Sequence, residues 1–329
     1  MTEKKINQLV PGETAQGYYL VKEVECKSAV NQRKYLDLVL ADQTGEIGAK
    51  LWDCSDNDES AYRKNRLVKV RGSVTLWQKR PQLKIEKIRP AGEEDGIKLE
   101  DFIPAAPEDP EHLFGELLEY INKIENPALN QIVSRIVADG REKLLVYPAA
   151  LQNHHAIKTG LLYHVYKMLQ AGERMCEVYP ALNRDLLFAG IILHDIAKLE
   201  EMDADELGTS AVYTREGYLL GHIVQGIKLI ERVAGELGLG GEPVILLQHM
   251  VLSHHYEPEF GSPRRPMFPE AEMLHYLDMI DARMYDMERV LQNTADGEFS
   301  EKIWVLHNRK LYKTTSNQYE EDRQYESTE

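Results

Sequence analysis

Over residues 17–88 the apolar positions come in short runs that alternate with polar ones, the two-residue period of half-buried strands. Residues 17–24, GYYLVKEV, are rich in β-branched and aromatic side chains, and residues 34–40, KYLDLVL, alternate. Asp42-Gln-Thr-Gly45 reads as a turn into a third strand over 46–52, and runs at 67–76 and 82–88 bring the count to five, with a polar interruption at 55–60. Five short strands predict a closed all-β barrel of the OB type over residues 1–90; a generic barrel used only for packing or assembly is the plainer alternative. Residues 91–111, rich in proline and acidic side chains, read as a linker. From there the period turns helical: 112–124 and 129–138 are amphipathic, with Asn126-Pro127 starting the second of them. The expected architecture is multidomain, an all-β barrel followed by an all-α domain over 112–312, and the polar tail 313–329 is expected to be disordered.

One helical stretch breaks its own pattern. In residues 188–199, FAGIILHDIAKL, the apolar run continues through Ile191, Ile192 and Ile196, and a buried helix is expected. Yet His194 and Asp195 stand at its centre, with Lys198 one turn beyond His194. An unpaired buried carboxylate costs several kcal/mol or more, so the pair calls for a partner, and a divalent metal suits imidazole and carboxylate together. A His–Asp hydrogen bond that only fixes packing is the bland reading of that dipeptide alone. Its company changes the balance. His164 lies in an apolar helix with Leu161, Leu162, Val165 and Met168, and Asp278 lies in another that starts near Pro269. Four such groups from three apolar helices are ordinary metal chemistry for a helical domain. Asp281, three residues on, is the rival of Asp278. His222, after Gly221 at a helix start, and His254 suggest a second ion bridged by Asp195, with His255 as a further candidate; His249 and His275 are better read as surface or core histidines.

Charge divides the chain as the periodicity does. The 329 residues carry a formal charge of −15, but residues 1–100 hold 18 Lys and Arg against 16 Asp and Glu, whereas the rest hold 21 against 38. Residues 62–89 hold ten basic side chains and one acid, Glu86. OB barrels bind single strands with stacking aromatics and phosphate-tracking cations. Here the candidates are Tyr35, Trp52 and Trp77 with Lys69, Arg71, Lys79, Arg80 and Lys84, although Tyr35 or Trp52 taken alone reads as a core residue. No apolar run is long enough for a leader or a membrane span, and Cys26, Cys54 and Cys176 form no CxxC, so a soluble, cytoplasmic protein in a reducing compartment is expected.

The ordered set His164, His194-Asp195, Asp278 resembles the HD superfamily of metal-dependent phosphohydrolases. Longer strings narrow the likeness: Asn153-His-His-Ala-Ile-Lys-Thr-Gly-Leu-Leu-Tyr-His, His194-Asp-Ile-Ala-Lys, Leu219-Leu-Gly-His-Ile and Ser253-His-His-Tyr-Glu-Pro-Glu-Phe-Gly-Ser-Pro. With an OB barrel in front, the chain is similar to the YhaM-type 3′→5′ exoribonucleases of Gram-positive bacteria. The resemblance implies His164, His194, Asp195 and Asp278 as core metal ligands, Lys198 facing substrate phosphate, and His222 and His254 extending the site to a second ion. It implies one or two divalent ions, Mn²⁺ before Co²⁺, Fe²⁺ or Zn²⁺. The implied partner is single-stranded RNA, or DNA in its place, with no membrane; a homo-oligomer is left open. Cleavage polarity comes from the resemblance alone. The segment after His255, YEPEFGSPRRP, lacks the Asp-Gly-x-Gly-Tyr-Pro string of HD proteins that cleave cyclic dinucleotides. Two other classes stay open: a hydrolase of small nucleotides with the barrel as a regulatory or assembly module, and a non-catalytic single-strand binder.

Overall fold

The computed structural model describes residues 3–29, 33–55, 58–78, 80–150, 155–205, 208, 211–292 and 294–315. Lys79, the side chain of Arg80 and residues 316–329 of the expected disordered tail lie outside the described residues. Strands β1 (Thr14–Ser28), β2 (Lys34–Asp42), β3 (Gly45–Trp52), β4 (Leu67–Trp77) and β5 (Arg80–Pro90) close a barrel in the order β1-β2-β3-β5-β4, and β4 returns to β1. A short helix, α1 (Asp58–Ala61), falls in the polar interruption. All pairings are antiparallel except β3 with β5. Alternation sends Leu36, Leu38, Leu40, Val68, Val70, Val74 and Leu83 into the interior, each fully buried. The turn at 42–45 is fixed by Asp42, whose carboxylate accepts from the Thr44 amide at 2.7 Å and the Ile6 amide at 2.8 Å. The acidic stretch after β5 is laid against the barrel: Asp95 accepts from the Tyr18 hydroxyl at 2.6 Å and from the Arg89 guanidinium.

The rest is helical: α2 (Pro110–Asn122), α3 (Pro127–Asp139), α4 (Arg141–Leu144), α5 (Gly160–Val178), α6 (Arg184–Leu193), α7 (Lys198–Glu201), α8 (Arg215–Glu236), α9 (Glu242–Ser253) and α10 (Pro269–Gln292). A two-stranded hairpin, β6 (Met202–Ala204) with β7 (Ala211–Tyr213), joins α7 to α8. Proline at the first turn and a side-chain cap start α2 and α3: Asp109 accepts from the Glu111 and His112 amides, Asn126 from those of Ala128 and Leu129. Helix α6 is apolar on every side, so it sits at the centre, touching α3, α5, α9 and α10, with Leu186 to Leu193 all buried.

The sequence pattern carried one helix through 188–199, and here the structure differs. Helix α6 stops at Leu193; His194 to Ala197 form a turn, and α7 begins at Lys198. Ile196 and Ala197 stay buried after the break, so the apolar pattern runs on without registering it. Among the described residues no helix is long and apolar enough to cross a membrane.

Candidate metal centre

The turn after α6 delivers His194 and Asp195 into the middle of the helical domain, where helices α5, α8, α9 and α10 each bring a partner. His164 enters from the first turn of α5, His222 from the middle of α8, His254 from the end of α9 and Asp278 from α10. Helix α8 is broken for this purpose. Gly221 has φ +66, and the helix resumes with His222. The segment before the break lies flat on α7, since a Cβ at Gly217 would collide with the carbonyl oxygen of Glu201.

Each histidine is oriented from behind. His194 Nδ1 donates to the Ile191 carbonyl at 2.8 Å, His254 Nδ1 to the Val251 carbonyl at 2.8 Å, and His255 Nδ1 to the Phe260 carbonyl at 2.6 Å. His164 Nδ1 donates to Asp281 at 2.7 Å and His222 Nδ1 to Glu201 at 3.1 Å. Carbonyls and carboxylates only accept, so Nδ1 carries the proton in every case and the bonds leave Nε2 facing the centre. The Nε2 atoms of His194, His222 and His254 and the Oδ1 of Asp195 are buried and have no hydrogen-bond partner among the described residues. A cluster of unprotonated nitrogens around a carboxylate is costly in a dry site unless a cation sits among them. The donor set fits a divalent transition metal.

Asp195 is the shared member. Its Oδ2 lies 3.4 Å from His194 Nε2 and 2.6 Å from Lys198 Nζ, while its Oδ1 lies 3.3 Å from His222 Nε2 and 3.7 Å from His254 Nε2. Three groups of ligand atoms occur among the described residues, and two of them share Asp195: His164, His194 and Asp195, with Asp278 Oδ1 3.4 Å from His164 Nε2, and Asp195, His222, His254 and His255; the third is His155, His164 and Asp281. His254 and His255 both belong to the second group, which the sequence left undecided.

The protonation energetics point the same way. Burial works against charge on Asp195, yet Lys198 and His194 hold its carboxyl well below the usual range. Burial alone would lower His164, but bonds to Asp278 and Asp281 outweigh it and hold the ring up to about 10, so the pocket favours positive charge there. Burial depresses His254, and burial with the neighbouring His254 depresses His255 to about 3, which keeps both rings neutral and able to ligate. Burial opposes the charge on Lys198 as well, but Asp195 beside it raises its pKa.

Three residues contribute that the sequence did not single out for these parts. Asp281 stands behind His164, taking hydrogen bonds at 2.7 Å from both His155 Nε2 and His164 Nδ1. Glu201 accepts from the His222 amide at 2.9 Å as well as from its ring. His155 supports Asp281, and its ring lies 4.0 Å from that of Tyr285. The signal for Asp281 was its i+3 spacing from Asp278, and His155 stood in the Asn153-His-His string without a role assigned; nothing local marks Glu201. His275 donates to the His254 carbonyl at 2.7 Å, and His249 accepts from the Met267 amide at 3.1 Å, away from the centre.

On the barrel, Trp52, Lys69 and Arg71 line one cleft of roughly 630 Å³ together with Lys87, Arg89, Asp53 and Glu86. Tyr35 and Trp52 face each other across β2 and β3, ring centroids 4.8 Å apart, and neither is in the core. Trp77 is exposed at the end of β4, and Lys84 is exposed on β5; neither lines that cleft. Lys87 and Arg89 belonged to the basic run without being singled out.

Comparison with known proteins gives two family models: HD domain over residues 161–283 and OB-fold nucleic acid binding domain over residues 21–91. Among curated proteins, the 3′-5′ exoribonuclease YhaM of Geobacillus sp. (strain WCH70) is 44% identical over 92% of this chain and 92% of its own length. The protein of the same name from Bacillus subtilis (strain 168) is 41% identical over 92% of this chain and 96% of its own.

Proposed function

The chain belongs to the YhaM family of 3′-5′ exoribonucleases, and from that premise we propose that it hydrolyses single-stranded RNA from the 3′ end to nucleoside 5′-monophosphates, with single-stranded DNA as the second polymer to test. The observation that carries this reading is the placement of Asp195. Its Oδ2 lies beside His194 Nε2 and Lys198 Nζ and its Oδ1 beside the Nε2 atoms of His222 and His254, a sharing that suits a pair of metal ions on a phosphodiester. His164, His194, Asp195 and Asp278 hold the first ion in this reading, and Asp195, His222 and His254 the second, with His255 beside it. Bound there, divalent ions make a water acidic enough to attack phosphorus and offset charge on the phosphoryl oxygens.

The chain's own residues prepare that chemistry. Lys198, paired with Asp195, supplies a fixed cation next to the reacting phosphate. Asp281 and Glu201 keep His164 and His222 from rotating. His164, His194, Asp195, Lys198 and His254 are buried, which keeps bulk water from screening their charges. The acidic helical domain repels a polyanion at long range; the ions and Lys198 reverse the sign locally, and the basic barrel captures the strand. Manganese is the first ion to try, and a cytoplasmic setting belongs to the same reading.

Product analysis on end-labelled RNA tests it. After chelation, activity should vanish; Mn²⁺ or one of Co²⁺, Fe²⁺ and Zn²⁺ should restore it. A 5′ label should shorten stepwise, and a 3′ label should appear at once as a mononucleotide. Activity confined to a mononucleotide or cyclic dinucleotide would move the reading to small-nucleotide hydrolysis. Binding without hydrolysis under every metal would leave a single-strand binder.

A further inference from the structure

Beside the second group of ligands the surface is apolar where a metal site opening on water would be expected to be polar. Tyr218 and Leu219, in the turn of α8 just before His222, are each 76% exposed, and Phe260 is 70% exposed. Large side chains this bare need a reason in a chain that keeps most others covered. Their positions are fixed from beneath. Gly217 holds the Tyr218–Leu219 turn against the Glu201 backbone, and the Phe260 carbonyl takes the His255 ring hydrogen bond. Tyr213 links the turn to the centre. Its ring is 5.0 Å from that of Tyr218, edge to face, and its backbone pairs with Met202, the residue after Glu201. On the opposite flank the rings of His222 and His255 are 5.2 Å apart, leading to Phe260.

We infer that Tyr213, Tyr218, Leu219 and Phe260 form the stacking site for the bases at the 3′ end of the strand, which they hold while the ions and Lys198 take the phosphate. This rests on the exonuclease reading above. Its grounds are that Tyr218 and Leu219 directly precede the Gly221–His222 break of α8, that Tyr213 pairs with Met202 next to Glu201, and that the Phe260 carbonyl holds the His255 ring. Aromatic faces tolerate any base, so this site would grip the end of a strand without reading its sequence.

The experiment pairs a residue change with a substrate change. Wild type, Tyr218→Ala, Leu219→Ala and Tyr218→Phe are compared on an RNA trinucleotide and on the same trinucleotide with an abasic 3′-terminal residue. Both positions are exposed, so the variants should fold, which circular dichroism checks. Stacking on one base predicts a KM for the intact trinucleotide roughly five- to hundredfold higher in Tyr218→Ala, with kcat little changed. The abasic substrate should already show most of that penalty in wild type and gain little more from the substitution, while Tyr218→Phe should stay near wild type. An equal rise on both substrates, or no rise on either, overturns the inference. A fall in solution mass in Tyr218→Ala also overturns it, since the surface would then join copies of the chain. If wild type shortens neither trinucleotide, the exonuclease reading itself has failed, before any variant is compared.

Discussion

A carboxylate whose two oxygens serve different neighbours is hard to replace. In Asp195→Asn one oxygen becomes an amide nitrogen that cannot bind a cation, so in the proposed mechanism one ion loses a ligand atom and both lose the carboxylate's charge. Hydrolysis should fall by about three orders of magnitude or more, while circular dichroism and RNA binding to the barrel stay near wild type. Retention of a tenth of the activity would argue against a shared ligand. Asp281→Asn probes the support behind His164. One of the two hydrogen bonds to that carboxylate weakens and its charge is lost, so affinity for the first ion should drop roughly 10- to 100-fold, read by competition with a chelating dye. The proposed ligands His164, His194, Asp195 and Asp278 were legible because each is an ionisable group inside an apolar run, a local contradiction visible in the letters. Asp281, Glu201 and His155 act through another residue's ring. Glu201 and His222 are 21 positions apart and His155 and Asp281 are 126 apart, and no window of sequence contains either pair.

At the scale of elements, two breaks shape the centre. The stop after Leu193 frees His194 and Asp195 from the helical ladder, and the kink at Gly221 re-aims His222. Glycine is needed at the second break because φ is +66 with ψ 166, a region essentially reserved for glycine that another side chain would adopt at a cost of about 1–3 kcal/mol. Gly221→Ala should therefore lower Tm by a few degrees and, more tellingly, weaken metal uptake at the group that includes His222. His222→Ala should hold one equivalent fewer than wild type under metal excess, by elemental analysis. Wild type that saturates at a single equivalent would defeat the two-ion proposal and leave the His164 group standing. The barrel strands were readable because a period of two is strong over a few residues. The stop in α6 was not, since Ile196 continues the apolar series and no Gly or Pro marks the turn.

For the molecule as a whole, the proposed division of labour gives capture to the barrel with its basic strip and chemistry to the acidic helical domain. In the cleft beside Trp52, replacing Lys69, Arg71 and Lys87 together by Gln should raise KM for long RNA and flatten its dependence on salt. The logarithmic slope should fall by about 0.7 for each phosphate that the barrel no longer neutralises. Turnover of a dinucleotide, which in the proposed mechanism needs only the ions and Lys198, should barely change. Equal losses on short and long substrates would mean the cations support assembly and do not touch RNA.

The way the barrel closes has a bearing on how the protein is made. Without β5 the sheet would run β3-β2-β1-β4, with both outer strands offering unpaired amides and carbonyls to any passing chain. Strand β5, the last of the five to leave the ribosome, covers both edges at once, parallel to β3 and antiparallel to β4. It also carries Lys84, Lys87 and Arg89. A nascent chain halted before residue 80 is thus adhesive to other proteins and short of part of the cationic surface proposed to bind RNA, and the same strand ends both conditions in one step.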